Sequence, residues 1–159
     1  MAGNKVSICI AGKNQCAIDA LKYLILNYKK KYNILALPNK NDNGNDTWQK
    51  SFKKFAISRN IKVINLNKLY TIKNLYLFSI EYESILKVEN FNSSNLFNIH
   101  FSLLPKYKGC HTNFYQIYHG EKNSGVSLHK IDSGIDTGPL VSQISFGVPL
   151  NSTAYENYL

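Results

Sequence analysis

Three side chains in this sequence have the types and spacing to do proton chemistry together. Asn98 and His100 stand two apart at the end of an apolar run over 96–101, and residues two apart on an extended segment share a face. That pairs a hydrogen-bond donor with a proton carrier. Asp136 falls in Gly134-Ile135-Asp136-Thr137-Gly138-Pro139, where glycines and proline mark a tight turn. A carboxylate exposed on such bent backbone could reach an imidazole from another segment, a contact that spacing alone leaves open. Other constellations compete. Ser102 with His100 and Asp136 has the composition of a hydrolytic triad, but no G-x-S-x-G elbow surrounds Ser102, and Leu103-Leu104-Pro105 suggests a backbone turn. His100, His111, His119 and His129 with Asp132 and Asp136 show no metal-ligand spacing, so no metal is expected. Taken singly, Asn98 and Asp136 would be turn residues and His100 a core histidine.

The elements that must hold these residues alternate. Residues 6–11 are a continuous apolar run ending at Gly12, as in a strand buried on both faces. A helix is expected over 16–28, with Ile18, Leu21, Leu24, Ile25 and Tyr28 on its apolar face. Asn14 is a suitable N-cap. Lys13, Asn14 and Gln15 then lie either near helix N-terminal amides that could hold a phosphate or in a simple strand-to-helix turn; the full dinucleotide signature is absent. A second strand is expected over 34–37, then a polar loop over 38–46 that is long enough to border a ligand. Asp46 or Thr47 would cap a helix carrying Trp48, Phe52, Phe55, Ala56 and Ile57. Trp48 could stack on a planar ligand, though an aromatic at a helix start more often anchors packing. Further strands are expected over 61–66, 75–80 and 96–101, with a short helical segment after 80 that runs to Leu86. Beyond the central stretch come a short helix at 115–118, strands over 125–130 and 140–146, and a final helix over 153–156 capped by Ser152. His129 is read as structural. Strands alternating with helices predict an α/β fold with a mostly parallel sheet covered on both faces. Ligands lie at the carboxyl ends of such strands, which draws attention to 12–15, 79–82 and 98–102.

With 159 residues and 44% hydrophobic content, the chain is long enough for one domain over 1–159. No run approaches the roughly 18 apolar residues of a membrane span, and no cleavable signal precedes the first strand; no membrane partner and a cytoplasmic location are expected. Cys9, Cys16 and Cys110 form no C-x-x-C pair and read as free thiols. The net charge of +9 admits a polyanionic partner, yet solvated lysines explain it as well.

Asn98-Ile99-His100, the Ser102-Leu103-Leu104-Pro105 turn, Gly109 and Ile135-Asp136-Thr137-Gly138 together resemble the active-site signature of the folate-dependent formyltransferases. Most of the chain shares the resemblance. It implies a Rossmann-like core, with Asn98, His100 and Asp136 as the catalytic trio. It also implies that Phe78, Ser79, Ile80, Glu81 and Tyr82, with Asp132, Ser133 and Ile135, line a pocket for the pterin of N10-formyltetrahydrofolate. The chemistry is consistent: a neutral amine attacks the formyl carbonyl, Asn98 and protonated His100 donate to the oxygen that becomes negative, and Asp136 orients the imidazole and helps move the amine proton. Phe101 after His100, with Lys106-Tyr107-Lys108-Gly109-Cys110-His111-Thr112, is most similar to enzymes formylating a dTDP-linked amino-dideoxy sugar, and so to surface-polysaccharide synthesis. Pro139-Leu140 instead resembles the purine-pathway members. Lys13, Asn14, Lys40, Trp48 and His111 are the candidates for contacting a nucleotide-linked amino sugar.

Two relatives within the family offer rival readings. Methionyl-tRNA formylation suits the basic charge, but the tRNA enzymes carry an added C-terminal domain, and nucleic acid is not the expected partner. Formyltetrahydrofolate hydrolysis would call for a regulatory domain before the core. Members of the family usually continue past the position of Leu159, into elements that complete the core and often form a homodimer. A truncated core that acts only as a binding module is therefore the non-enzymatic alternative.

Overall fold

The computed structural model describes residues 5–149 and 151–156. Two compact units divide the chain between Phe97 and Asn98, inside one strand.

The first unit is built on a parallel sheet. Strands β1 (Ser7–Gly12), β2 (Asn33–Pro38), β3 (Lys62–Val63) and β4 (Leu75–Ile80) lie in the order β3-β2-β1-β4. Cys9, Ile10 and Ala11 in β1 and the run from Ile34 to Leu37 in β2 are buried at every position, as their unbroken hydrophobicity predicts. Helix α1 (Asn14–Tyr28) packs on β1 and β2, and α2 (Phe52–Ser58) packs on α1, β2 and β3. Only the first half of the expected α1 face is buried, through Ala17, Ile18 and Leu21, while Tyr28 is exposed. Gly12 is needed where β1 ends, because a Cβ there would run into the Ile80 carbonyl and against Ala17.

Several expected boundaries move. The N-cap of α1 is Lys13, without a side-chain bond; Asn14 is buried with φ 61°. Helix α2 starts after Ser51, whose Oγ accepts the Lys54 N–H at 2.9 Å, so neither Asp46 nor Thr47 caps it. Asp42 explains the later start: its carboxylate accepts from Gly44 N, Ser51 Oγ and Lys53 N at 3.0, 2.6 and 2.8 Å, folding 42–51 into a braced loop. Trp48 lies in that loop, 81% exposed, and anchors no packing. The strand expected over 61–66 is cut to β3 because Asn65 caps a helix, α3 (Leu66–Tyr70), accepting from Lys68 N at 2.9 Å. In place of a helical segment up to Leu86, a single 3-10 turn forms at Val88–Asn90.

Strand β5 (Asn95–His100) carries the boundary. The second unit holds its last half, α4 (Thr112–Tyr118), and an antiparallel pair, β6 (Asn123–Lys130) and β7 (Leu140–Gly147), with an irregularity at Leu128/His129. Thr112 Oγ1 and Gln116 Nε2 both donate to the Phe101 carbonyl, at 2.7 and 2.9 Å, and so fasten α4 to the end of β5. Ser127 is fully buried in β6, whereas β7 is exposed along its whole length. At the final turn Thr153, rather than Ser152, does the capping: its Oγ1 accepts from Glu156 N and its N–H donates to the Glu156 carboxylate. The helix expected over 153–156 is only a turn there, and 157–159 lie outside the described residues. The fold is thus α/β and mostly parallel.

Candidate functional site

In the second unit, three segments meet at one carboxylate. Asn98 Nδ2 donates to Asp136 Oδ1 at 3.2 Å, and His100 Nδ1 lies 3.4 Å from Asp136 Oδ2. The shared face of β5 therefore delivers its two groups to opposite oxygens of the same side chain. Asp136 has φ 50°, the bent backbone its glycine-flanked turn suggested. Its side chain is only 12% exposed, however, more enclosed than that turn implied. Gly138 permits the enclosure, since a Cβ there would strike the Lys130 carbonyl.

His129 completes the cluster. Its Nε2 is 3.3 Å from Asp136 Oδ1 and 3.2 Å from Asn98 Nδ2, and its ring is almost fully buried. The structural role expected for it from the sequence is incomplete, because strand alternation says which face a residue takes but not which loop crosses that face. The Asp136 carboxyl is pushed up by burial, but the His129 hydrogen bond, the Gly109 N–H and the charges of both imidazoles together hold it below the usual carboxylate range. The hydrogen bond to Asp136 in turn raises His129, against the opposing effect of burial.

A loop covers this cluster with backbone groups. Gly109 N donates to Asp136 Oδ2 at 2.8 Å, and the Tyr107 carbonyl lies 2.7 Å from His100 Nε2. A carbonyl can only accept, so His100 Nε2 donates here. Tyr107, Gly109 and His111 all have left-handed φ, at 55°, 87° and 58°. Ser102 holds the loop: fully buried, its hydroxyl donates to the Lys106 carbonyl at 2.7 Å and the Tyr107 carbonyl at 3.3 Å. That hydroxyl is structural, and the hydrolytic-triad alternative fails with it. His111 precedes α4, exposed and without a side-chain cap bond. Asp132 accepts from Thr137 Oγ1 at 2.7 Å and Gly134 N at 3.0 Å, which braces a turn presenting exposed Ser133 and an Ile135 that is 62% exposed. Among the described residues no three His, Cys, Asp or Glu side chains are grouped to hold a metal, and no helix is long and apolar enough to cross a membrane.

In the first unit, the carboxyl ends of β1, β2 and β4 are joined by a second network. Asn14 Nδ2 donates to Glu81 Oε2 at 3.2 Å, Asn39 Nδ2 to the Glu81 carbonyl at 3.2 Å, and Lys13 N to the Ile80 carbonyl at 3.4 Å. Asn39 also accepts from Glu83 N at 3.2 Å, and the Glu83 carboxylate accepts from Lys40 N at 3.1 Å. Lys13, Asn14, Lys40, Ile80 and Glu81 are thereby brought together. Asn39, 2% exposed, is the residue that sequence reasoning missed; its place directly after β2 was the available signal. Ser79 and Ile80 are buried, and Phe78 stacks on Phe97 with centroids 5.3 Å apart. Burial pushes the Tyr82 hydroxyl above its ordinary value.

Residues 51–158 match the family model described as Formyl transferase. The chain belongs to that family. The matched stretch includes Asn98, His100, His129 and Asp136, and leaves out Lys13, Asn14, Lys40 and Trp48. Over 122 residues it is 36% identical to the bifunctional polymyxin resistance protein ArnA of Wigglesworthia glossinidia brevipalpis, covering 68% of this chain and 18% of that protein. The methionyl-tRNA formyltransferase of Acetivibrio thermocellus is 30% identical, covering 94% of this chain and 52% of the relative. Two crystal structures are more similar. WlaRD, a sugar 3N-formyl transferase in the presence of dTDP and 5-N-formyl-THF, superposes with a TM-score of 0.91 at 48% identity. The N-formyltransferase from Helicobacter canadensis, in complex with folinic acid and dTDP-3-aminofucose, gives 0.90 at 46%. They match 98% and 96% of this chain, which spans 57% of each of theirs.

Proposed function

We propose that the chain transfers a formyl group from N10-formyltetrahydrofolate to the amino group of a dTDP-linked amino-dideoxy sugar, with residues 1–159 forming the catalytic region. The observation that carries this reading is the convergence of Asn98 and His100 on the enclosed Asp136 carboxylate, in a chain 46% and 48% identical to two sugar N-formyltransferases. The donor set fits a formyl group: an amide N–H beside an ionised carboxylate and two imidazoles suits an oxygen that turns negative and an amine that must lose a proton. When bound, the folate supplies the activated formyl carbon.

Asn98 donates to the formyl oxygen as a bond forms between that carbon and the sugar nitrogen. His100 can join it through Nε2 only when the Tyr107 carbonyl yields that atom. Asp136, with its imidazoles, takes up the proton lost by the amine and returns it to the folate nitrogen as the carbon–nitrogen bond to the folate breaks. Lys13, Asn14 and Lys40 in one unit and His111 in the other are proposed to contact the nucleotide sugar. Trp48, exposed at 81%, is proposed as a further contact to the nucleotide sugar. Glu81 and Tyr82 in the first unit, and the Asp132 turn with exposed Ile135 in the second, are each proposed to contact the pterin. The reading places this chemistry in the cytoplasm and in the making of a surface polysaccharide.

Mass spectrometry after incubation with N10-formyltetrahydrofolate tests it, with dTDP-linked 3-amino and 4-amino dideoxy sugars, initiator methionyl-tRNA and no amine as parallel acceptors. One added formyl group on a sugar, the 3-amino form first in view of the two solved relatives, is the expected result. Formylated tRNA, or free formate without an acceptor, would replace this reading with tRNA formylation or folate hydrolysis.

A further inference from the structure

The imidazole of His129 has a contact that it cannot keep in both of its protonation states. Its Nδ1 is 2.8 Å from the Lys130 carbonyl, which only accepts, so Nδ1 keeps its hydrogen and Nε2 is the atom that gains and loses a proton. Nε2 faces two neighbours with opposite demands. Asn98 Nδ2, at 3.2 Å, can only donate to it, and Asp136 Oδ1, at 3.3 Å, can only accept from it. The amide cannot turn over to suit a protonated ring, because its oxygen would then stand against the Asp136 carboxylate, where Nδ2 now lies 3.2 Å away.

We propose that His129 is a positioning residue that controls the second N–H of Asn98. As the neutral ring it accepts that N–H; as the imidazolium it donates to Asp136 Oδ1 and leaves the N–H to an acceptor outside the cluster. On the reading of Asn98 as donor to the formyl oxygen, the protonated state of His129 is the competent one. The groups facing His129 settle its balance. Asp136 and, more weakly, Asp132 from the 131–139 connection favour the cation, while burial opposes it. The His100 ring from β5 also faces His129, with centroids 6.4 Å apart.

Two measurements test the switch. On the unsubstituted chain labelled with nitrogen-15, a scalar coupling across the hydrogen bond between Asn98 Nδ2 and His129 Nε2 should appear above the His129 titration midpoint and vanish below it. A coupling that is absent at every pH, or that persists below the midpoint, overturns the proposal. The second measurement is the pH profile of kcat for formyl transfer. In the unsubstituted chain kcat should fall as pH rises through the same midpoint, by up to about a hundredfold, the scale of one lost oxyanion donor. In His129→Gln that alkaline fall should disappear; its survival in a folded variant overturns the proposal. A coupling that switches in a chain that formylates no amine upholds the His129 switch and defeats the proposed function.

Discussion

Glu81 and Asp136 sit on similar backbone and are held by opposite chemistry. Both have left-handed φ, 57° and 50°, and both follow a strand. Glu81 is tied through the amides of Asn14 and Asn39, at 3.2 Å each, and amides neither gain nor lose protons near neutrality. Asp136 is tied through two imidazoles, the Asn98 amide and the Gly109 N–H, and the His129 imidazole is raised by its bond to Asp136. The first arrangement makes a shape. The second makes a shape that depends on protons, which is what a group-transfer site needs and a binding rim does not.

The contrast is most sharply broken by activity. Asn98→Ala should lower formyl transfer by about a hundredfold or more, the scale of a lost oxyanion donor, and Asp136→Asn should lower it while leaving the melting transition cooperative. If Asp136→Asn fails to fold, Asp136 is a structural residue like Glu81 and the comparison collapses. Next in size is Asn39→Ala, which strands the Glu83 N–H and the Glu81 carbonyl and should destabilise the chain by roughly 2–3 kcal/mol. Denaturant melts should find that loss unchanged between pH 6 and 8, because the bonds that Asn39 makes run from its side-chain amide to backbone groups, none of which titrates.

The imidazole cluster should behave differently. His129 is raised in the folded chain, so its contribution to stability is complete below the ordinary imidazole value and is lost as pH rises through the folded value. Asp136 is lowered, so its contribution is present above the ordinary carboxylate value and is lost as pH falls through the folded one. Their joint contribution is therefore greatest between about pH 4 and 6.5. Melting temperatures followed upward from pH 6 should decline, and the decline should be shallower in His129→Gln. Smallest of all is the change expected for Lys106→Met. It breaks an exposed 3.0 Å pair with Glu121 outside both networks, and the melting midpoint should stay within scatter.

Much of this was legible in the sequence because it depends on local pattern. The unbroken apolar runs of β1 and β2 identified buried parallel strands, and the turn glycines around Asp136 identified bent backbone. Boundaries moved where a single polar side chain overruled the pattern. Asp42 drew 42–51 into a loop and left Trp48 outside α2, and Asn65 ended β3 early to start α3. No hydrophobic periodicity reports those choices, since each is made by one polar side chain: Asp42 reaches Ser51 and Lys53 across a loop, and Asn65 caps the helix that starts beside it.

The sequence by itself determined the chemical inventory of the site, Asn98 and His100 on one face and Asp136 on a turn, because strand alternation and glycine geometry are properties of neighbouring residues. Only the tertiary structure decided that His129 stands with them, that the Tyr107 carbonyl occupies His100 Nε2, and that Asn39 joins the ends of β2 and β4. The first and last join segments distant in the chain, and the Tyr107 contact closes a loop only seven residues long whose path the left-handed backbone sets; each geometry exists only once the chain has folded.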